Sequence, residues 1–558
     1  MAMDVFIKII LGFLLFFTPF AFAGTEPWAF SILQGGIVVC WVLLLCVRRS
    51  GVIMPLFKPV LATLGGMTLF VLLQTCFPKT LLDPAVYYPV SLMRLYGWEH
   101  ASLFVTYLAV TGLTMQLFSS QASVKKELLV IVASALAVAL CAVSLPKGDY
   151  IFQFTGVRGG VGPFLNRNHA SVFFAMGALI ALGLFFTRLL KRTWTQTPRQ
   201  KYAFYIQQFC LFAAFAGLAT GTVLTRSRGG MLSLLVGIFC YAFLCVWAVP
   251  QRLKKRLKGI FITLIAAAAV CSWIFTHLDA INAFAQRGTG VSTQTRTMLY
   301  RSAYRALGDH PVWGIGVGAM PVVITSYVEW KVPHYIERLH NDWLEILLGV
   351  GYGGGILIAG GLLWFIWLAL RRLKRLETRK QFLFASLLSA LVVMCVGSTV
   401  DFHFFVPANA LVFFVLLGLC CAPTYNKHHV HTWHWPVWGK SIILLVLALS
   451  LYVPTVKTLA WRCVVFGSGF KTPARLAQYE RAVAYYPSPR YALRLGNAYF
   501  NAARRTASPE EKQGLYARAL EVSKTYLRRY PRDKELSRLY VRSRARLNAG
   551  KNTPYLVK

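Results

Sequence analysis

The chain has 558 residues, 56% of them hydrophobic, a mean hydropathy of +0.54 and a formal net charge of +39. So much apolar surface excludes an ordinary soluble domain. In a soluble protein such charge would point to nucleic acid. Here most basic residues outside the C-terminal region fall in short loops between apolar runs, so membrane orientation accounts for them and no nucleic-acid partner is expected.

Apolar runs of about 18–23 residues recur as far as residue 460, each long enough to span a bilayer. Helices satisfy their own backbone in lipid. The expected fold class is therefore all-α: a polytopic membrane helix bundle of 12–13 spans over residues 1–460, with a C-terminal helical-repeat domain over 461–558. The first run, Val5 to Gly24, resembles a signal peptide but lacks a strong cationic flank, and reads as a retained span. Thirteen spans are expected near 5–24, 28–47, 58–77, 100–118, 127–145, 169–187, 206–224, 230–249, 259–277, 343–370, 381–400, 405–422 and 441–460. The twelve cysteines lie mostly inside these runs without C-x-x-C spacing, which argues for packing rather than a disulfide framework or a zinc site.

The loops fall into two sets. Arg48-Arg49, Lys125-Lys126, Lys191-Arg192 with Arg199 and Lys201, "QRLKKRLKG" (251–259) and "RRLKRLETRK" (371–380) alternate with the spans on one side, which the positive-inside rule makes cytoplasmic. The other side receives 78–99, 146–168, the turn "TRSRGG" (225–230), the loop 278–342 and "DFHFF" (401–405). An odd number of spans then puts the C-terminal region outside. That region carries 21 Lys and Arg against 6 Asp and Glu, and two segments, 479–500 and 516–540, each hold a helix, a Tyr-Pro and a second helix. This looks like tetratricopeptide-type hairpins. Pro487 and Pro531 stand 44 apart instead of the usual 34, and "RRTASPEEKQ" would be the insertion. Such a basic outer domain suits anionic glycolipid head groups.

The polar outer loops hold the candidate chemistry. Arg226 and Arg228 sit between two spans with almost no loop, next to two glycines that permit close approach. Guanidinium groups bind phosphate oxygens bidentately, so the pair reads as a pyrophosphate clamp, against interfacial snorkelling. The 65-residue loop 278–342 is too long for a connector. Within it Thr297 to Leu307 reads as an amphipathic helix, "HPVWGIGVGAM" as a Gly-punctuated turn, and Arg296 as a second phosphate ligand, with Arg287 weaker. Gly314-x-Gly316-x-Gly318 follows no strand, so it is not a nucleotide loop.

His340, in "RLHNDWLEILLGVGYGG" (338–354), is the general-base candidate, because imidazole changes charge near neutral pH; the alternative is a capping or hydrogen-bonded histidine. Asn341 and Asp342 can equally cap the following helix. Asn166, Asn168 and His169, with Arg158 ahead of them, open another span, and either cap it or recognise sugar hydroxyls. Asp401 is an outer carboxylate beside His403. His428, His429, His431 and His434 lie on the inner side without a Cys or acidic partner, so no metal site is assigned to them.

"FLNRNHASVFFAM", "TRSRGG", "RTMLYRSAYRALGDHPVWGIGVGAM" and "HNDWLEILLGVGYGG", in that order, together resemble the O-antigen ligase/polymerase superfamily of bacterial envelope glycosyltransferases. "VDFHFFVPANALVFFVLLG" further resembles members with a tetratricopeptide-like C-terminal domain, and the likeness covers roughly residues 150–420. One departure is "LLGVGYGG", where many members have an acidic residue before the Val-Gly. The resemblance implies a metal-independent GT-C-type transferase without cofactor, acting outside the cytoplasm in the bacterial inner membrane. It implies a glycan donor on undecaprenyl pyrophosphate. Arg228 and Arg296 would bind the pyrophosphate, with Arg226 beside them, and His340 would activate the acceptor hydroxyl or assist the leaving group. Arg158, Asn166, Asn168, His169, Asn341 and Asp401 would be substrate contacts. The acceptor would be a lipid A core sugar or another surface acceptor for a ligase, a growing chain for a polymerase, or a protein. A rival from another class is a flippase for polyprenyl-linked sugar, which would spread charge through the membrane depth and show internal repeats. A third is a scaffold, suggested by the helical tail alone.

Overall fold

The computed structural model describes residues 2–76, 94–144, 160–189, 197–251, 258–259, 262, 293–328, 336–425, 431–529 and 533–551. Their helices are α1 (Ala2–Phe20), α2 (Pro27–Val47), α3 (Phe57–Cys76), α4 (Arg94–Leu117), α5 (Gln121–Ser144), α6 (Arg167–Leu189), α7 (Pro198–Leu224) and α8 (Arg228–Ala248). The chain resumes with α9 (Thr293–Asp309), α10 (Met320–Val323), α11 (Asp342–Arg375), α12 (Thr378–Gly397), α13 (Pro407–Cys421) and α14 (Val437–Gly467). Four more follow: α15 (Thr472–Tyr485), α16 (Pro489–Arg505), α17 (Pro509–Arg529) and α18 (Lys534–Lys551).

Among the described residues ten helices are long and apolar enough to cross a membrane: α1, α2, α3, α5, α6, α7, α8, α11, α12 and α14. The fold is thus an all-α polytopic bundle, as the apolar runs predict. The expected span at 259–277 lies, apart from residues 259 and 262, outside the described residues. Two expected spans form helices that miss the ten, for a physical reason. α13 is only 15 residues long and almost wholly buried. α4 is polar inside, because it sits among neighbours that satisfy it. Gln34 of α2 donates to Ser102 Oγ (2.9 Å) and Thr106 Oγ1 (2.7 Å) of α4 and to Ser450 of α14. The bundle centre is α6, apolar all round and buried along nearly its whole length against α5, α7, α8 and α12.

The helices alternate in direction, so the openings of α6, α8 and α11 share one end with the ends of α7 and α12. At the opposite end a two-stranded antiparallel ribbon joins β1 (Ser50–Ile53) to β2 (His431–His434), with Ser50 opposite His434. It ties together two loops expected on one side. His428 and His429 lie outside the described residues. Arg372, one of the basic residues at that end, does more than orient. It is buried and donates to the carbonyls of Cys420 (2.8 Å) and Ala422 (2.9 Å), capping α13.

α11 is broken near its outer end. Gly351 has φ 64° and ψ −171°, a conformation confined to glycine. The carbonyls of Leu348 and Gly349 accept from Ile315 (3.0 Å) and Gly316 (3.0 Å) of the long loop. In exchange, Tyr352 donates to Pro311 (2.7 Å) and Gly353 to Val312 (3.0 Å). The loop therefore replaces the helix's own bonds, which is what makes a break at membrane depth affordable. The turn expected at "HPVWGIGVGAM" is real: Gly314, Gly316 and Gly318 all have positive φ.

The C-terminal helices α15–α18 pack in sequence as two hairpins. The expected insertion "RRTASPEEKQ" is not a loop, since only Thr506–Ser508 separate α16 from α17; longer helices take up the extra length. Pro531 lies outside the described residues. Ala492, Tyr526 and Leu536 share one apolar cluster with Leu299, Ala303, Leu339 and Leu344, so this region rests on the long loop, at the same end as the helix openings.

Gly351→Ala is expected to destabilise the protein by on the order of 3 kcal/mol, since its Cβ would lie 2.5 Å from the Gly314 nitrogen and the Val312 oxygen. Thermal unfolding in detergent measures it, and an unchanged Tm would contradict the broken-helix geometry.

Candidate active site

Three helix openings build the site. Asn166 Oδ1 accepts from the Asn168 amide (2.9 Å) at the start of α6. Ser227 caps α8 through Gly230 (3.1 Å), and Asn341 caps α11 through Leu344 (3.0 Å). The residues just ahead of the last two caps, Arg226 and His340, both have φ 57°. That left-handed backbone costs a non-glycine residue about 1–2 kcal/mol, and it turns both side chains out of the helical path.

Asp401, in the loop between α12 and α13, is the hub. It is 1% exposed. Oδ1 faces His340 Nδ1 (2.8 Å) and accepts from the Phe402 amide (2.9 Å). Oδ2 accepts from Asn166 Nδ2 (3.4 Å) and from Asn168 Nδ2. His169 Nε2 lies 3.9 Å from Oδ1, buried and beyond hydrogen-bonding range. Burial opposes the charge, but the nearby His169 and His340 imidazoles overcome it and hold the carboxyl well below the ordinary range. Asp401 is therefore ionised and accepts only, so His340 carries its proton on Nδ1. Nε2 of His340 has no protein partner among the described residues, and the side chain is 19% exposed. The neighbouring His403 is pushed down to about 3 by burial and by the His169 imidazole, so it stays neutral.

The arginines surround this centre. Arg296 of α9 donates to the Val400 carbonyl (3.1 Å), one residue from Asp401. One turn later Tyr300 donates to the His340 carbonyl (2.9 Å). Gly229 packs on the Val400 side chain, so close that a Cβ there would lie 2.6 Å from Val400 Cγ2. Arg228, next to it on the first turn of α8, is exposed and has no protein partner among the described residues. Arg226 is half-buried beside it. Arg158 and Arg287 lie outside the described residues.

The expected substrate contacts acquire definite partners. The amides of Asn166 and Asn168 are taken up by Asp401, and Asn341 Oδ1 by its helix cap. Asp342 is fully buried and accepts from the His403 (2.7 Å) and Phe404 (2.9 Å) amides, which fastens α11 to the Asp401 loop. The residue that sequence reasoning passed over is Arg338. It donates to Glu345 (2.7 Å) and lies 4.0 Å over the Phe405 ring, while Glu345 also accepts from the Leu339 amide (2.9 Å). Two opposite charges flanking a helix cap were the available signal.

Phe405 and Trp343 also line an apolar cavity of about 430 Å³ that runs down between the helices, walled by Met67, Phe104, Leu244 and Phe365. Polar groups thus cluster at one end of the bundle, above a greasy cleft. Among the described residues no group of three or more His, Cys, Asp or Glu is arranged to hold a metal ion.

Fold and site together define a polytopic membrane protein with a histidine–carboxylate pair and arginines at the end of its helices. Residues 212–359, about a quarter of the chain, match the family model described as O-Antigen ligase, and the match supports the O-antigen ligase superfamily. That match indicates a function of the ligase/polymerase type, that of a membrane transferase in polysaccharide biosynthesis. The matched segment contains Arg226, Arg228, Arg296, Arg338 and His340; Asn166, Asn168, His169 and Asp401 lie outside it. No curated protein matches the chain.

Asp401→Asn is expected to lower Tm by the same amount at pH 7 and pH 5. A carboxyl with a depressed folded pKa contributes its stability above the unfolded value of about 4 and loses it only as pH falls below that. A difference present at pH 7 and gone at pH 5 would mean that the carboxyl protonates in between.

Proposed function

We propose that the protein transfers a glycan from a polyprenyl pyrophosphate carrier to a hydroxyl of a second glycan. The observation that carries this reading is the His340–Asp401 pair. With Nδ1 donating to an ionised carboxylate, the Nε2 lone pair is left free to act as the base in a partly exposed side chain. The acceptor hydroxyl attacks the anomeric carbon, its proton passes to Nε2, and the bond from that carbon to the pyrophosphate oxygen breaks. The leaving pyrophosphate gains a negative charge, which Arg228 and Arg296 neutralise near Val400. The polyprenyl chain of the donor, undecaprenyl in bacteria, occupies the apolar cavity, with Arg338 at its mouth.

The site faces away from the cytoplasm. Arg48, Arg49, Lys125, Lys126, Arg199, Lys201 and Arg371 to Lys380 gather at the opposite end of the bundle, where the positive-inside rule puts the cytoplasm. The charged groups of the site sit at the helix ends and the cavity below them is lined by no charge, which favours transfer over transport.

Arg228→Ala is expected to keep the wild-type Tm and His340→Gln to lower it, since Asp401 loses a donor, and both are expected to lose transfer by about 10²–10⁴-fold, the usual contribution of a positioned base or of one charge-stabilising donor. The measurement is reconstitution with purified undecaprenyl-pyrophosphate glycan. Product on added lipid A core marks a ligase, and lengthened carrier-linked glycan without added acceptor marks a polymerase. Wild-type rates in either variant would overturn the assignment.

A further inference from the structure

Outside the membrane bundle, α15 and α16 enclose a polar cleft of about 320 Å³. From α16 it is lined by Arg494, Asn497, Asn501 and Arg505, whose spacing of three and four residues puts them on one helix face. Thr472 and Tyr479 of α15 form the facing wall, and no acidic residue lines the cleft. Arg475 also borders it, with its Nη2 donating to the carbonyls of Ser468 (3.0 Å) and Phe470 (2.9 Å). Three other arginines of these helices meet carboxylates: Arg490 with Glu337, Arg518 with Glu480, Arg538 with Glu535. Arg494 and Arg505 are exposed and have no such partner among the described residues. Two guanidiniums without a carboxylate partner thus line the cleft, with two amides between them.

The position of α16 connects this cleft to the site. Its first turn carries Arg490, ion-paired at 3.3 Å with Glu337, three residues before His340. The helix then runs on for 17 residues, about 25 Å. We infer that this face of α16 binds an acidic saccharide, the acceptor or product glycan extending from the site. Guanidiniums at its two ends pair with sugar carboxylates or phosphates. The amides of Asn497 and Asn501 both donate and accept, which suits the ring hydroxyls between them. Those central amides, and a helix that starts at the site's rim, favour a glycan over an acidic peptide. The inference deepens the glycan-transfer proposal and rests on it.

The test uses the full chain in detergent and four probes: oligogalacturonate, a phosphorylated mannan fragment, neutral dextran and polyglutamate. Wild-type protein is expected to bind at least one acidic saccharide with an affinity that falls as salt rises. Binding is expected to weaken at least tenfold in R494Q/R505Q and again in N501D, with Tm unchanged in both. His340→Gln is expected to bind like wild type while losing transfer; wild-type protein that binds the saccharide but transfers no glycan refutes the transfer reading and leaves the cleft standing. Equal binding of dextran, preference for polyglutamate, or full affinity in R494Q/R505Q would overturn the inference. The more strongly bound acidic probe tells whether carboxylate or phosphate is recognised.

Discussion

A carboxylate that is 1% exposed can stay charged only if donors replace the water it has lost. Asp401 gathers those donors from three separate segments: the opening of α6, the residue ahead of α11, and its own following amide. Displacing any of these segments leaves a buried charge short of partners, so the geometry holds itself. Asp342 works in the reverse direction. It starts α11, and its carboxylate grips the backbone of the Asp401 loop. Each acidic residue anchors the segment that carries the other. The left-handed backbone at His340 is maintained by this mutual grip, and the imidazole has one orientation as a result.

The break in α11 extends the same logic to the long loop. A loop of 65 residues would ordinarily be free to move, but here it lends four backbone hydrogen bonds to a helix that lacks its own. Docked this way, the loop sets α9 over the site, where Arg296 and Tyr300, one turn apart, reach Val400 and His340. The C-terminal hairpins then cover the loop through Ala492, Tyr526 and Leu536. Packing thus runs from the glycine turn, through α9, to the helices that carry the basic cleft. In the proposed reaction this arrangement keeps the arginines, the base and the acceptor path in one frame.

The polar groups and the apolar cavity divide the work. Guanidiniums and imidazole sit where water and sugar reach them, and charge is absent from the walls below. Arg338 marks the boundary, its charge paired with Glu345 and its plane against Phe405. Arginine suits this place because its guanidinium is weakly hydrated and stacks on aromatic rings while keeping further donors available.

The sequence by itself determined the bundle and the addresses of the chemistry. Long apolar runs in lipid have one cheap backbone solution, so α1, α6, α8 or α12 are legible one at a time. Polar residues at a helix opening are likewise local signals, and the caps at Asn166, Ser227 and Asn341 are read from their own neighbours. Only the tertiary structure decided what those residues do to one another. Asp401 meets His340 across 61 positions and Asn168 across 233, and no local pattern encodes such a meeting. The same holds for α4, whose polar interior is intelligible only once Gln34 is beside it, and for Gly351, whose broken bonds are completed by Ile315 and Gly316. Periodicity records which face of a helix avoids water; which donor a buried charge receives depends on how the helices pack, and that is settled through space.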